Sequence, residues 1–191
     1  MSPRKFLRAL AVSVPLLFGL VAVPTATAAV PTATAPAPAA AAARTVYYSA
    51  SAYGGEADQA AAIWNRSVPN LRLVRSGNGS IRISGTSGGG SRAYMCGLGC
   101  ATIYIDRQDI ARGNSSLRIV SHEMGHGLGL RDNYNGVCSQ LMSGGSAGTG
   151  CRNPYPDSRE AGLVNQWFGG YAGSMAATPQ NSSGVSSVYS R

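Results

Sequence analysis

Residues 56–67, EADQAAAIWNRS, place Ala60, Ile63, Trp64 and Ser67 at helical spacing. One side is therefore small and apolar and the other polar, which predicts an amphipathic helix with Trp64 in the core. Pro69 prevents its continuation. Around this helix the period changes to two. Residues 45–49 alternate with Val46 and Tyr48 on one side, and residues 71–74, 81–84 and 101–106 (ATIYID) read as further short strands, separated by the Gly-rich turns SGNG and GTSGGG. A second helix is expected to start near Asn114 or Ser115, where NSS offers N-caps, and to run through LRIVSHEMGHGLGL until its glycines end it. A third is expected over 157–168, with Asp157 as N-cap, Glu160 three residues on, and Leu163, Val164 and Trp167 along one face. Helices at the start, middle and end with strands between them predict an α+β domain built on a short mixed sheet. No internal repeat is visible.

Both ends of the chain read differently. Arg4, Lys5 and Arg8 precede an apolar stretch over 9–23, and Ala26, Thr27 and Ala28 offer small residues for cleavage. Residues 1–29 are therefore expected to be a secretory signal. The alternative is a membrane anchor, but Pro15 and Pro24 interrupt the run, which falls short of the ~20 apolar residues a span needs. Residues 30–43 are all Ala, Pro, Thr or Val and cannot build a core, so 30–44 is expected as a short pro-segment or linker. The Ser-rich stretch 173–191 is expected as a flexible tail. The folded domain is then 45–172, expected to be extracellular and a monomer.

Composition changes this picture in two places. The formal charge of +8 is inflated by the leader: from Thr45 on there are twelve Arg, no Lys and eight acidic residues, a formal +4. Arg66, Arg72, Arg75, Arg82 and Arg92 are scattered rather than massed, and no aromatic-interleaved basic motif accompanies them. This is the pattern of a solvated basic face, and neither nucleic acid nor membrane is expected as a partner. The four cysteines, Cys96, Cys100, Cys138 and Cys151, are even in number in a chain that reads as exported, which favours disulfides over a four-thiolate zinc site. Of three possible pairings, proximity favours Cys96 with Cys100 and Cys138 with Cys151.

The candidate chemistry lies in HEMGHGLGLRD, residues 122–132, which contains the chain's two histidines. On a helix His122 and His126 share a face one turn apart, so both imidazoles can hold one ion, and Glu123 beside them can act as general base toward a water. A catalytic zinc needs three protein ligands and an open position. Gly129 can adopt a positive φ that turns the chain sharply and brings Asp132 back under the metal. Asp132 could instead orient a histidine or simply occupy the turn.

This extended pattern resembles the metzincin clan of zinc peptidases, and its aspartate at the third position resembles the snapalysin family of small secreted neutral proteases of streptomycetes. The likeness runs through RIVSHEMGHGLGLRDNYNGVCSQLMSGGSAGTGCRNPYP, and more weakly through AAAIWNRSVPN and the last helix. It implies one zinc per chain on His122, His126 and Asp132, with Glu123 as base. It also implies that Tyr134 hydrogen-bonds the oxyanion and that Met142 lies in a turn beneath the zinc. By itself Met142 would read as core filling. Cys138 and Cys151 match the family's disulfide. The implied activity is endopeptidase cleavage of proteins and peptides along an edge strand, for which residues 91–95 are the candidate. Residues 143–150 would shape a pocket preferring an aromatic side chain just after the cut. The alternative is a secreted zinc-binding module without catalysis that binds peptides or surfaces. Relatives can hold calcium near the start of the active-site helix through an aspartate; here the stretch is GNSS and the nearest carboxylate is Asp109, so calcium is doubtful.

Overall fold

The computed structural model describes residues 42–169 and 186–189. The expected signal over 1–29, most of the linker over 30–44 and much of the tail over 173–191 lie outside the described residues. Strand β1 (Arg44–Ala50) opens the domain. Arg44, expected as the last residue of the linker, is already part of the sheet, where it faces Leu71. Helix α1 (Gly54–Ser67) follows, then β2 (Leu71–Arg75), β3 (Ile81–Thr86), β4 (Arg92–Gly97) and β5 (Cys100–Asp106). A short helix α2 (Arg107–Ala111) precedes the central α3 (Ser116–Gly127). A 3-10 segment (Leu141–Ala147), α4 (Ser158–Phe168) and β6 (Ser186–Val188) complete the order.

The six strands form one mixed sheet in the order β2-β1-β3-β5-β4-β6. The first four of these are joined in parallel, whereas β4 runs antiparallel to both β5 and β6. Val46, Tyr48, Leu71, Leu73, Ile81, Ile83, Ala101, Ile103 and Ile105 point to one face and are buried. Alternate residues such as Tyr47, Arg72 and Arg82 face solvent. The period-two pattern therefore survives in parallel strands because helices cover a single face.

Helix α1 packs against the sheet through Ala57, Ala60, Ala61, Ile63 and Trp64. It begins at Gly54, two residues before the expected Glu56, and Tyr53 at the N-cap sits at φ 55° with no side-chain cap. Trp64, in the core as expected, donates from Nε1 to the Ser121 carbonyl at 3.1 Å and so joins α1 to α3. Helix α3 is capped by Ser115, and every residue from Arg118 through Gly127 is buried, which makes it the axis of the domain. On α4 the expected capping box of Asp157 and Glu160 is present. The most buried stripe, however, is Glu160, Val164 and Phe168, with Leu163 and Trp167 only half-buried at its side.

The expected flexible tail differs at its end. Residues Ser186–Val188 pair with β4, and Tyr189 is only 2% exposed. A Ser-rich run can still form a strand when a neighbouring edge offers unpaired backbone groups and an aromatic anchor follows it. In consequence β4 is not a free edge, as the reading of residues 91–95 assumed, but lies between β5 and β6.

Both expected disulfides form, Cys96 with Cys100 at a Cα separation of 5.1 Å and Cys138 with Cys151 at 5.5 Å. Replacing Cys138 and Cys151 together by Ser should cost about 3 kcal/mol, the loop-closure value for a short loop. Urea unfolding at equal slope checks this; an unchanged midpoint contradicts it.

Candidate metal centre

Helix α3 carries His122 and His126 on one face, both essentially fully buried. It ends in a Schellman turn: Leu130 N–H donates to the Gly125 carbonyl at 3.0 Å and Gly129 N–H to the His126 carbonyl at 2.9 Å. That turn requires a left-handed residue, and Gly129 supplies φ 101°. The chain then doubles back and delivers Asp132. Its Oδ1 lies 3.0 Å from His122 Nε2 and 3.4 Å from His126 Nε2, and the two Nε2 atoms are 3.1 Å apart. The three are the one group of this kind among the described residues that could hold a metal ion.

Two backbone carbonyls lie behind this triangle. His122 Nδ1 is 3.0 Å from the Leu141 carbonyl and His126 Nδ1 is 2.8 Å from the Leu130 carbonyl. A carbonyl can only accept, so each ring places a proton on Nδ1, and in its neutral form it turns the Nε2 lone pair toward the other. With both rings neutral, two lone pairs and a carboxylate oxygen converge, a donor set that suits zinc. A tetrahedral zinc with bonds of about 2.0–2.2 Å sets its ligand atoms roughly 3.3–3.5 Å apart, and the observed triangle fits such an ion.

Burial depresses the His122 imidazole; at His126 burial acts the same way but is outweighed by Asp132 and Glu123, which raise it. For Asp132 burial pulls the carboxyl up, while the two imidazoles pull it down and win, so it stays anionic.

Glu123, one residue past His122, is completely buried, and neither of its carboxylate oxygens has a hydrogen-bond partner among the described residues. Burial pushes its carboxyl up to about 8. A bare carboxylate in such a place is costly unless a cation or a reacting water completes its surroundings. Tyr134 holds the strained left-handed conformation (φ 40°) and donates from its hydroxyl to Asp132 Oδ2 at 2.8 Å. It is 37% exposed, so its hydroxyl stands at the rim of the site. Met142 is buried below the histidines, its sulfur so close to Gly125 that a Cβ there would sit 2.9 Å from it. All six expected site residues therefore come together. Cys96 and Cys100, at the turn between β4 and β5, do not belong to this cluster.

Two residues that sequence reasoning left out hold the site in place. Glu160 does more than close the capping box: its carboxylate accepts from the backbone N–H groups of Leu141 (3.0 Å) and Met142 (2.8 Å). It thereby fixes the carbonyl that orients His122. The signal was present, since Glu160 shares the i, i+4, i+8 stripe with Val164 and Phe168. Arg118 is a fully buried guanidinium that donates to the carbonyls of Cys138, Gln140, Leu141 and Asn153 and to Ser143 Oγ. Together with the Cys138–Cys151 disulfide it ties the 3-10 segment to α3. Nothing in the local pattern distinguished it from the exposed arginines.

Glu160→Ala is expected to leave two buried N–H groups unpaired and to destabilise the fold by about 2–4 kcal/mol. Zinc affinity should fall about 10-fold as the Leu141 carbonyl loosens. Thermal unfolding and competition with a colorimetric chelator read the two effects, and an unaltered zinc affinity contradicts the assigned positioning role.

A hollow of about 820 Å³ lined by Ser49, Arg75, Arg82 and Thr102 opens on the solvated face of the sheet and contains none of these groups. No helix among the described residues is long and apolar enough to cross a membrane.

The chain matches a family model described as Streptomyces extracellular neutral proteinase (M7) over residues 43–172. It is 42% identical over 140 residues to an extracellular small neutral protease of Streptomyces lividans, a match covering 70% of this chain but 61% of that relative. A protein of the same description from Streptomyces caespitosus is 42% identical over 124 residues, covering 64% of this chain and 93% of the relative. Among solved structures, the chain is similar to the high choriolytic enzyme 1, a hatching enzyme zinc-protease from Oryzias latipes, at 19% identity and TM-score 0.42, covering 65% of this chain and 88% of that one. It is also similar to myroilysin at 24% identity and TM-score 0.35, covering 46% and 48%.

Proposed function

From the premise that the chain belongs to the Streptomyces extracellular neutral proteinase (M7) family, matched over residues 43–172, we propose that it is a secreted, monomeric, zinc-dependent endopeptidase of protein and peptide substrates. The observation that carries the reading is the triangle of His122 Nε2, His126 Nε2 and Asp132 Oδ1, three potential ligand atoms within 3.4 Å of one another. The residues that would hold the zinc are therefore these three. Bound there, zinc would supply a Lewis acid that acidifies water and polarises a carbonyl.

The remaining steps fall to this chain's own side chains. Glu123, buried and unpartnered beside His122, takes the proton of the attacking water and returns it to the leaving amine. Tyr134 offers its rim hydroxyl to the oxyanion that develops on the scissile carbonyl. Asp132 brings a negative charge that a third histidine would lack, which makes the ion less electron-withdrawing and the contributions of Glu123 and Tyr134 correspondingly greater. Residues 143–150, anchored through Arg118 and the Cys138–Cys151 disulfide, form the wall of the pocket that takes an aromatic side chain just after the cut. A metal-binding module without catalysis would have no use for a bare buried carboxylate next to its ligands. Residues 1–29 serve export in this reading, and 30–43 link the leader to the domain.

Casein digestion by the secreted protein should stop on adding a strong chelator, return on adding zinc, and ignore a serine-protease inhibitor. Activity that survives chelation and is lost to the serine reagent would end this reading.

A further inference from the structure

The segment that follows the described domain returns to the metal centre. Its backbone lies antiparallel to β4, with Ser186 opposite Tyr94, Ser187 opposite Ala93 and Val188 opposite Arg92. The pairing continues one residue further, where Tyr189 N–H donates to the Ser91 carbonyl at 2.8 Å. The segment then changes partners: the Tyr189 carbonyl accepts from Gly145 N–H at 2.8 Å, on the 3-10 segment across the site. It therefore bridges the two walls, β4 on one side and the 141–147 turn on the other, by main-chain hydrogen bonds. This is how an extended peptide is held when recognition does not depend on its sequence.

The side chain of Tyr189 supplies the specific contact. Its ring is 2% exposed and meets the His122 ring edge-on, with centroids 5.0 Å apart and planes at 88°. Gly144 permits the close passage: a Cβ there would lie 3.2 Å from the His122 ring and 3.5 Å from the Tyr189 carbonyl. An aromatic side chain of this chain thus fills the pocket beside a metal ligand, and its backbone takes the place at β4 that an extended substrate would need.

We propose that residues 186–189 are an intramolecular competitor for the substrate groove, anchored by Tyr189, so that the chain restrains its own activity until the segment is displaced. The proposal rests on the protease reading, with substrate lying along β4 and entering the pocket walled by residues 143–150, yet it can be tested apart from catalysis. An occupant that leaves the groove free for only a fraction of the time weakens binding of any other peptide by that fraction. Release of the segment should restore it.

The probe is a fluorescent peptide, Ser-Ser-Val-Tyr-Ser, with its Val-Tyr amide reduced so that it cannot be cut. Its affinity for the zinc-loaded full chain is read by fluorescence polarisation. Tyr189→Ala empties the pocket. Ser187→Pro removes the ladder donor of the next hydrogen-bonded pair without touching the buried ring, and it decides the matter if Tyr189→Ala fails to fold by circular dichroism. Both variants should bind the peptide at least ~10-fold more tightly than the unaltered chain, the gain expected if the groove is free about one-tenth of the time. Equal affinities in the unaltered chain and the folded variants overturn the proposal, and casein cleavage at equal rates beside them would leave the protease reading intact. Tighter binding in the variants with no cleavage of casein by any of the three would instead sink the protease reading and keep the competitor.

Discussion

Glu123→Gln should leave the zinc content at one per chain and lower peptide hydrolysis by about 10³-fold or more. The substitution keeps length, planarity and volume in a place that is completely buried, so the packing of α3 is not disturbed. What it removes is the ability to accept and return a proton, a contribution typically worth about 10²- to 10⁴-fold. The two carboxylate oxygens make no hydrogen bond to the described residues, so no partner among these is left stranded by the amide. Loss of activity with retained metal would therefore report chemistry and not folding. Single-turnover rates on a fluorogenic peptide, measured beside metal analysis, give the answer; a variant of normal rate removes Glu123 from the mechanism.

Asp132→Ala has the opposite signature. It takes away one of three converging ligand atoms and the one negative charge among them, so zinc binding should weaken by more than the ~10- to 100-fold that loss of an outer hydrogen-bond partner costs. It also removes the acceptor at Asp132 Oδ2 to which the Tyr134 hydroxyl donates at 2.8 Å, and the anion that faces both imidazoles. Activity should fall with the metal and recover in part at high added zinc. A competition titration against a zinc-sensitive dye measures the change, and an affinity equal to that of the unaltered chain contradicts the assignment.

Much of this site was legible because its determinants are local. The i, i+4 spacing of His122 and His126, the glycine that must turn left-handed at 129, and the N-caps at Ser115 and Asp157 each act within a few residues of themselves. The alternation of Val46 with Tyr48 and of Ile81 with Ile83 likewise marks strands without reference to their neighbours. What was not legible depends on partners distant in the chain. The order of the sheet is set by which strands α1 and α3 can cover, and no local pattern states it. Arg118 looks like an ordinary surface charge, and Glu160 like a capping residue only, until tertiary structure gives them the carbonyls of 138–153 and the N–H groups of Leu141 and Met142. Tyr53 begins a helix in a conformation its residue type disfavours. The strand β6 was missed because Ser-rich composition signals disorder, whereas its pairing is supplied by the open side of β4 and by Tyr189.

His122, His126 and Asp132 are expected to hold a zinc ion that Glu123 uses but does not bind. The metal-to-protein ratio of the unaltered chain, Glu123→Gln and Asp132→Ala, taken by mass spectrometry after identical dialysis, tests this most directly. The expected ratios are close to one, close to one, and well below one. An Asp132→Ala protein that keeps a full zinc ion, or a Glu123→Gln protein that loses it, would contradict the assignment of ligands and base.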